Sequence, residues 1–340
     1  MSIQRRCIVV VDWPKETADY RGLYPWGPYL PRLSDWVLRH LGPRWPRIMG
    51  LMDSDSPVLE SRLLAVAPGE SGQEVIAQVH KAVDRFSAAD GESVVWAIAL
   101  PGQLLARSTP PSETVGRRLV VGADYRLLAA GTAIGHVMDR LGFPPSQSYL
   151  SVEADSDRAL WLATALAHRF GGFQLVTAAG YRRERLPRRF LAETGAAVTV
   201  ADRPTLRTAT VWITENASPE LRAQGAPGVI YDLGGHQPHL AEWATAEGWL
   251  YLNGTLSSLP RYRSPHYGPP DLVSEWETEA VLLALGGRVA AGAPSTRLVR
   301  QRLEDLAYLA AGWRAMVVRF LGGSRVLTWL DIEKLRRRKL

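Results

Sequence analysis

The chain has 340 residues, 46% of them apolar and 22% charged, which is ample for a buried core and unlike a disordered segment. Its formal charge of +6 comes from 40 basic against 34 acidic residues; with no zinc-finger spacing and no glycine-flanked aromatic motif, this excludes a dedicated nucleic-acid binder. A single cysteine, Cys7, excludes an intramolecular disulfide framework and fits a reducing cytoplasm.

Arg5 and Arg6 precede Cys7-Ile8-Val9-Val10-Val11, but that apolar run is too short for a secretory signal and reads as a strand. Residues 33–41 have the spacing of an amphipathic helix. Extended segments at 48–52 and 59–66 bracket Asp53-Ser54-Asp55-Ser56-Pro57, a polar turn. In 73–86, Val75, Ile76, Val79 and Val83 recur at helical spacing, and 94–100 is a buried-type strand. Residues 102–118, rich in Pro, Ser and Arg, form a loop. Together residues 1–145 are expected to make a smaller α/β domain of the kind that holds a substrate.

A helix at 127–141, stopped by Gly142 and Pro144-Pro145, leads into a more regular alternation. Strands are expected at 149–152, 173–177, 197–200, 210–213, 229–231 and, last, 249–252, with helices at 157–170 and 182–194. Short apolar strands at this spacing imply βαβ crossovers, hence a doubly wound parallel sheet covered on both faces over 146–290. Helices at 275–285 and 296–320 follow, the second packing back on the first domain. The basic end, Arg336-Arg337-Arg338-Lys339, reads as a solvated, frayed tail, with an acidic partner or anionic surface as its alternative use. No membrane span is expected, because Arg314 and Arg319 interrupt the apolar stretch 306–321.

In such a sheet a ligand lies at the carboxyl ends of the strands, by the first strand-to-helix turn. Glycines serve a diphosphate there by letting the backbone turn tightly and approach closely. Here the turn is Glu153-Ala154-Asp155-Ser156-Asp157-Arg158, glycine-free and rich in carboxylates. An Asp or Ser in this place also serves as a helix cap. Candidate cofactor-facing residues are Ala154, Ser156 and Arg158 in the turn. Thr177, Arg182 and Arg183 follow the second strand, where an NADP site would hold the 2′-phosphate, and Asp232 ends a later one. His236, His239 and His266 lack recognisable metal-ligand spacing and read as solvated loop residues. His136 and His168 read as helix-surface or packing residues. No catalytic residue is assigned.

Several stretches carry a family resemblance. Arg47-Ile48-Met49-Gly50-Leu51 with Leu59-Glu60-Ser61-Arg62-Leu63, Pro227-Gly228-Val229-Ile230-Tyr231-Asp232-Leu233-Gly234-Gly235, Leu252-Asn253-Gly254-Thr255 and Glu277-Thr278-Glu279-Ala280 occur in an order that resembles the long-chain acyl-carrier-protein reductases. A more distant likeness is to the Rossmann domains of shikimate dehydrogenases and glutamyl-tRNA reductases. The resemblance spans about residues 45–320 and implies a Rossmann NAD(P)-binding domain. Against the family pattern, the glycine loop falls on Glu153 through Ala159 with every glycine replaced, Val121-Gly122-Ala123 keeps one glycine of the family's Thr-Gly-Asn, and Gly228 stands where the reactive cysteine belongs. Cys7 reads as a core residue instead. The expectation is a divergent, oxidoreductase-like member with a degenerate glycine loop and no bound cofactor, acting as a non-catalytic binding or scaffold protein. The alternative is an active NADP-dependent oxidoreductase on an acyl or carbonyl substrate. A protein partner, a small-molecule ligand or a homo-oligomer each fit this reading.

Overall fold

A computed structural model describes residues 5–12, 48–52, 59–66, 74, 77–81, 94–99, 119–120, 122–177, 180–202, 211–215, 228–235, 237–260, 262, 272–286, 296–323 and 325–339. The chain divides into two compact units, each assembled from separate stretches. The first comprises Met1–Tyr125, Ser257–Pro294 and Glu304–Met316, the second Arg126–Leu256, Ser295–Leu303 and Val317–Leu340.

The first unit holds a five-stranded sheet made of β1 (Arg5–Asp12), β2 (Ile48–Met52), β3 (Leu59–Val66), β4 (Val94–Ala99) and β5 (Leu119–Val120), in the order β2-β3-β1-β4-β5. β1 runs parallel to β3 and β4, and β4 to β5, while β2 pairs antiparallel on β3 at the edge. The strands expected at 8–11, 48–52, 59–66 and 94–100 are all present. The expected helix at 33–41, the turn at 53–57 and the loop at 102–118 lie outside the described residues. Of 73–86, residues 74 and 77–81 are described, and they are helical.

The second unit is a six-stranded sheet of β6 (Tyr149–Glu153), β7 (Gly172–Val176), β8 (Thr199–Ala201), β9 (Val211–Thr214), β10 (Val229–Asp232) and β11 (Leu250–Leu252), ordered β8-β7-β6-β9-β10-β11. Each pairing between neighbouring strands is parallel, for example Leu150 opposite both Phe173 and Val211. Counted from its first strand the order is 3-2-1-4-5-6, which defines a doubly wound Rossmann sheet with its switch point between β6 and β9. Its helices are α1 (Ala123–Leu141), α2 (Asp157–Leu166), α3 (Gly180–Thr194) and α4 (Pro238–Ala246).

The continuous apolar strands have a physical reason in the two-residue period of a strand. Val211, Ile213, Val229, Tyr231, Leu250 and Leu252 belong to one buried cluster, while the intervening Trp212, Ile230 and Tyr251 belong to another with Leu240, Ala244 and Trp249. Successive side chains point to opposite faces, and both faces are covered. A polar pair lies in the middle of the sheet: Ser151 Oγ donates to Gln174 Oε1 at 3.2 Å between directly opposed residues of β6 and β7.

Elsewhere the elements differ from the pattern expected. β12 (Gly254–Ser258) and β13 (Val273–Ser274) follow β11, so the strand at 249–252 is not the last. Helix α5 (Glu275–Leu285) fits its expected span and packs on β1, β4 and β5. The helix expected over 296–320 stops earlier: α6 spans Thr296–Gly312. It closes in a Schellman turn, with Ala315 N–H donating to Ala310 O at 2.8 Å, Arg314 N–H to Ala311 O at 3.1 Å, and Arg314 at φ 54°. The chain then runs as β14 (Met316–Gly322) and turns back into β15 (Arg325–Val326). The basic end is no frayed tail, because α7 spans Trp329–Lys339. Asp331 caps it by accepting from Thr328 N–H at 2.9 Å, as an acid three residues into a helix does in a capping box.

Candidate functional site

The carboxyl ends of the Rossmann strands bring together most of the residues singled out in the sequence. Ala154 is fully buried and its N–H donates to Val176 O at 2.8 Å, which ties the turn after β6 to β7. Ser156 is the N-cap of α2: its Oγ accepts from Ala159 N–H at 3.0 Å. That same Oγ donates to Glu215 Oε1 at 2.7 Å, reaching from the end of β6 to the residue after β9. The bond therefore crosses the switch point.

Two more carboxylates of the turn are held by threonines. Thr214 Oγ1 donates to Glu153 Oε2 at 2.6 Å, again from β9 to β6. Thr177, fully buried at the end of β7, donates through Oγ1 to Asp155 Oδ1 at 2.6 Å. Burial raises the Glu215 carboxyl above its ordinary value of 4.5; the Ser156 hydrogen bond and the charge of Arg158 oppose that rise, while Asp155 adds to it. Arg158 thus acts on Glu215.

Asp232, at the last position of β10, is fully buried and held by the loop that follows it and by β11. Its Oδ2 accepts from Tyr251 OH at 2.6 Å; its Oδ1 accepts from Gly234 N–H at 2.9 Å and Gln237 Nε2 at 3.0 Å. Burial raises its pKa against those three bonds and the nearby Arg126. The Tyr251 phenol is pushed well above its usual range by burial and by its bond to Asp232. The loop needs glycine at 234, since a Cβ there would run into Glu215 O, and at 235, where φ is +103°. Pro238 then opens α4, so His239 is an exposed helical residue and not a loop one. His136 and His168 are exposed helix or helix-end residues. His236 and His266 lie outside the described residues.

Arg182 and Arg183 belong to α3. Both fall in the first turn of α3 after β7; Arg183 is largely exposed and lies 3.8 Å from the exposed Asp202 after β8. The side chain of Arg182 is outside the described residues. Sequence reasoning missed Thr214, Glu215, Gln237 and Tyr251. Thr214 and Glu215 were findable as polar residues directly ending the fourth strand, where a switch-point site must form. Nothing in the local sequence of Tyr251 marks it as the partner of Asp232. Among the described residues no cluster of three or more His, Cys, Asp or Glu is arranged to hold a metal ion, and no helix is long and apolar enough to cross a membrane.

Strand order and switch point together define the class: a doubly wound, Rossmann-type α/β protein. The chain matches no known protein family and no curated protein. Among solved structures it is similar to L-tryptophan dehydrogenase from Nostoc punctiforme, at 10% identity over 99% of this chain and 88% of that one, with a TM-score of 0.36. It is similar also to a shikimate 5-dehydrogenase from Mycobacterium fortuitum (14% identity, 88% and 97% covered, TM-score 0.33). A third is quinate dehydrogenase from Corynebacterium glutamicum in complex with NAD (11% identity, 90% and 99% covered, TM-score 0.31). These likenesses are too loose to bear on function, and the fold assignment stands on the strand order itself.

Proposed function

We propose that this chain is a divergent Rossmann-fold protein, related to the reductases its motif order resembles, that acts as a non-catalytic binding or scaffold protein. The observation that carries the reading is the Ser156–Glu215 bond across the switch point. A dinucleotide needs free N–H groups at the helix start and open space beside them. In this chain Ala159 N–H is engaged by Ser156, and carboxylates of Glu153, Asp155 and Glu215 surround the turn. Two unit charges about 4 Å apart repel by about 4 kcal/mol at an effective dielectric near 20. A helix N-terminus offers an anion at most about 2 kcal/mol. Repulsion wins, so these residues do not fit a diphosphate.

One observation favours a second reading, an NADP-dependent oxidoreductase acting on an acyl or carbonyl substrate. Arg182 and Arg183 open α3 directly after β7, where a 2′-phosphate is held in NADP sites. Arg183 already has Asp202 nearby, but at 3.8 Å and in solvent the pair is weak enough to yield to a phosphate. Thermal-shift titration with NADPH, NADH, NADP and NAD separates the two. Non-catalytic binding predicts no rise in Tm up to millimolar nucleotide. A rise selective for NADPH and abolished by Arg182→Ala/Arg183→Ala overturns it in favour of the oxidoreductase.

A further inference from the structure

Beside the edge strand β11 lies a pocket of about 260 Å³, bounded by Thr245 of α4, Trp249, Tyr251, Leu327, and Arg325 with Lys334. All of its walls belong to the second unit. β11 stands two strands beyond β9, roughly 10 Å from the switch point at ordinary strand spacing.

Its chemistry is uneven. Trp249 and Tyr251 are buried, 4% and 6% exposed, and with Leu327 they supply an apolar wall. Gly322 permits the close approach of that wall, because a Cβ there would meet Leu327 Cδ2 at 2.7 Å and Tyr251 O at 2.9 Å. At the rim Arg325 is fixed by a two-pronged pair to Asp331, Nη1 to Oδ2 at 3.0 Å and Nη2 to Oδ1 at 3.1 Å. Asp331 is held well below the ordinary carboxylate range by that pair and by Thr328, so it neutralises Arg325 across the working pH range. The exposed ammonium of Lys334 has no counter-charge among the described residues. The lining thus has an apolar wall and a net positive rim.

We propose that this pocket is a binding site for a small organic acid with a flat apolar body, its carboxylate at Lys334 and its body against Trp249, Tyr251 and Leu327. At about 260 Å³ the pocket lies just below the usual range of small-molecule sites, which restricts it to a small acid. Small-molecule sites commonly combine apolar walls with a few placed polar groups in this way.

The test is calorimetric titration of the full chain with phenylacetate and with its neutral amide, phenylacetamide. The wild type should bind phenylacetate saturably and at least fivefold more tightly than phenylacetamide. Thr245→Trp, an exposed position filling the pocket, should abolish binding, and Lys334→Ala should weaken it at least fivefold, with far-UV circular dichroism of both variants unchanged. Both substitutions fall on exposed helical positions and leave the core intact. No saturable binding, equal binding of the amide, or binding unaltered in folded Thr245→Trp would each overturn the assignment.

Discussion

At the scale of single residues the switch point is governed by carboxylates that have found partners. Ser156 performs two tasks, capping α2 and holding Glu215. Ser156→Ala should therefore cost more than the ~1 kcal/mol of a lost cap, about 2 kcal/mol, because a part-buried carboxylate also loses its donor; urea denaturation reads this. Glu215 carries a pH signature. Its folded pKa lies above 4.5, so the folded state holds the proton more tightly, and stability falls as pH rises from that value through the folded pKa. Glu215→Gln keeps an acceptor for Ser156 without the charge. The difference in Tm between variant and wild type should grow in favour of the variant from pH 4.5 upward and then level off; a difference that is flat with pH contradicts the burial of this carboxylate. Tyr251→Phe removes a donor from the buried Asp232, and a loss of about 1–3 kcal/mol is expected in the same denaturation experiment. How much of this was legible differs residue by residue. The acids of the turn and the capping use of Ser156 were visible in the sequence, as was the position of Asp232 at a strand end. The pairing of Ser156 with Glu215 was not, because it joins residues 59 apart and no local pattern records it.

At the scale of elements, the strands of the Rossmann unit were legible because both faces of the sheet are covered, which leaves short continuous apolar runs such as Val211-Trp212-Ile213. Helix ends were less so. The stretch after Gly312 reads as helix by its apolar content, yet the chain breaks there at a residue no helix-stop rule names: Arg314 takes the left-handed position usually given to glycine. A side chain there costs about 1–2 kcal/mol in backbone strain. Arg314→Gly should accordingly stabilise the protein, by about 1 kcal/mol after glycine's greater freedom in the unfolded chain is offset. A rise in the urea midpoint at constant slope is the expected result. The basic end was misread for a related reason. Charge density alone suggests a solvated tail, whereas the Thr328–Asp331 cap and the buried Ile332 supply what a terminal helix needs.

At the scale of the whole molecule, six parallel strands in the order 3-2-1-4-5-6 place the switch point where such sheets bind their ligands. What the chain presents there is a ring of its own hydrogen-bonded acids, while the apolar-walled, cationic pocket stands beside the far strand β11. A shared sheet does not by itself fix a shared function. Hydrogen–deuterium exchange of the intact chain with and without millimolar NADPH reads the switch point directly, through the amides of 154–160 at the start of α2. A closed crevice predicts identical exchange of those amides in both samples. Protection of 154–160 together with the start of α3 on adding NADPH would contradict it, and would mean that the carboxylates part to admit a dinucleotide.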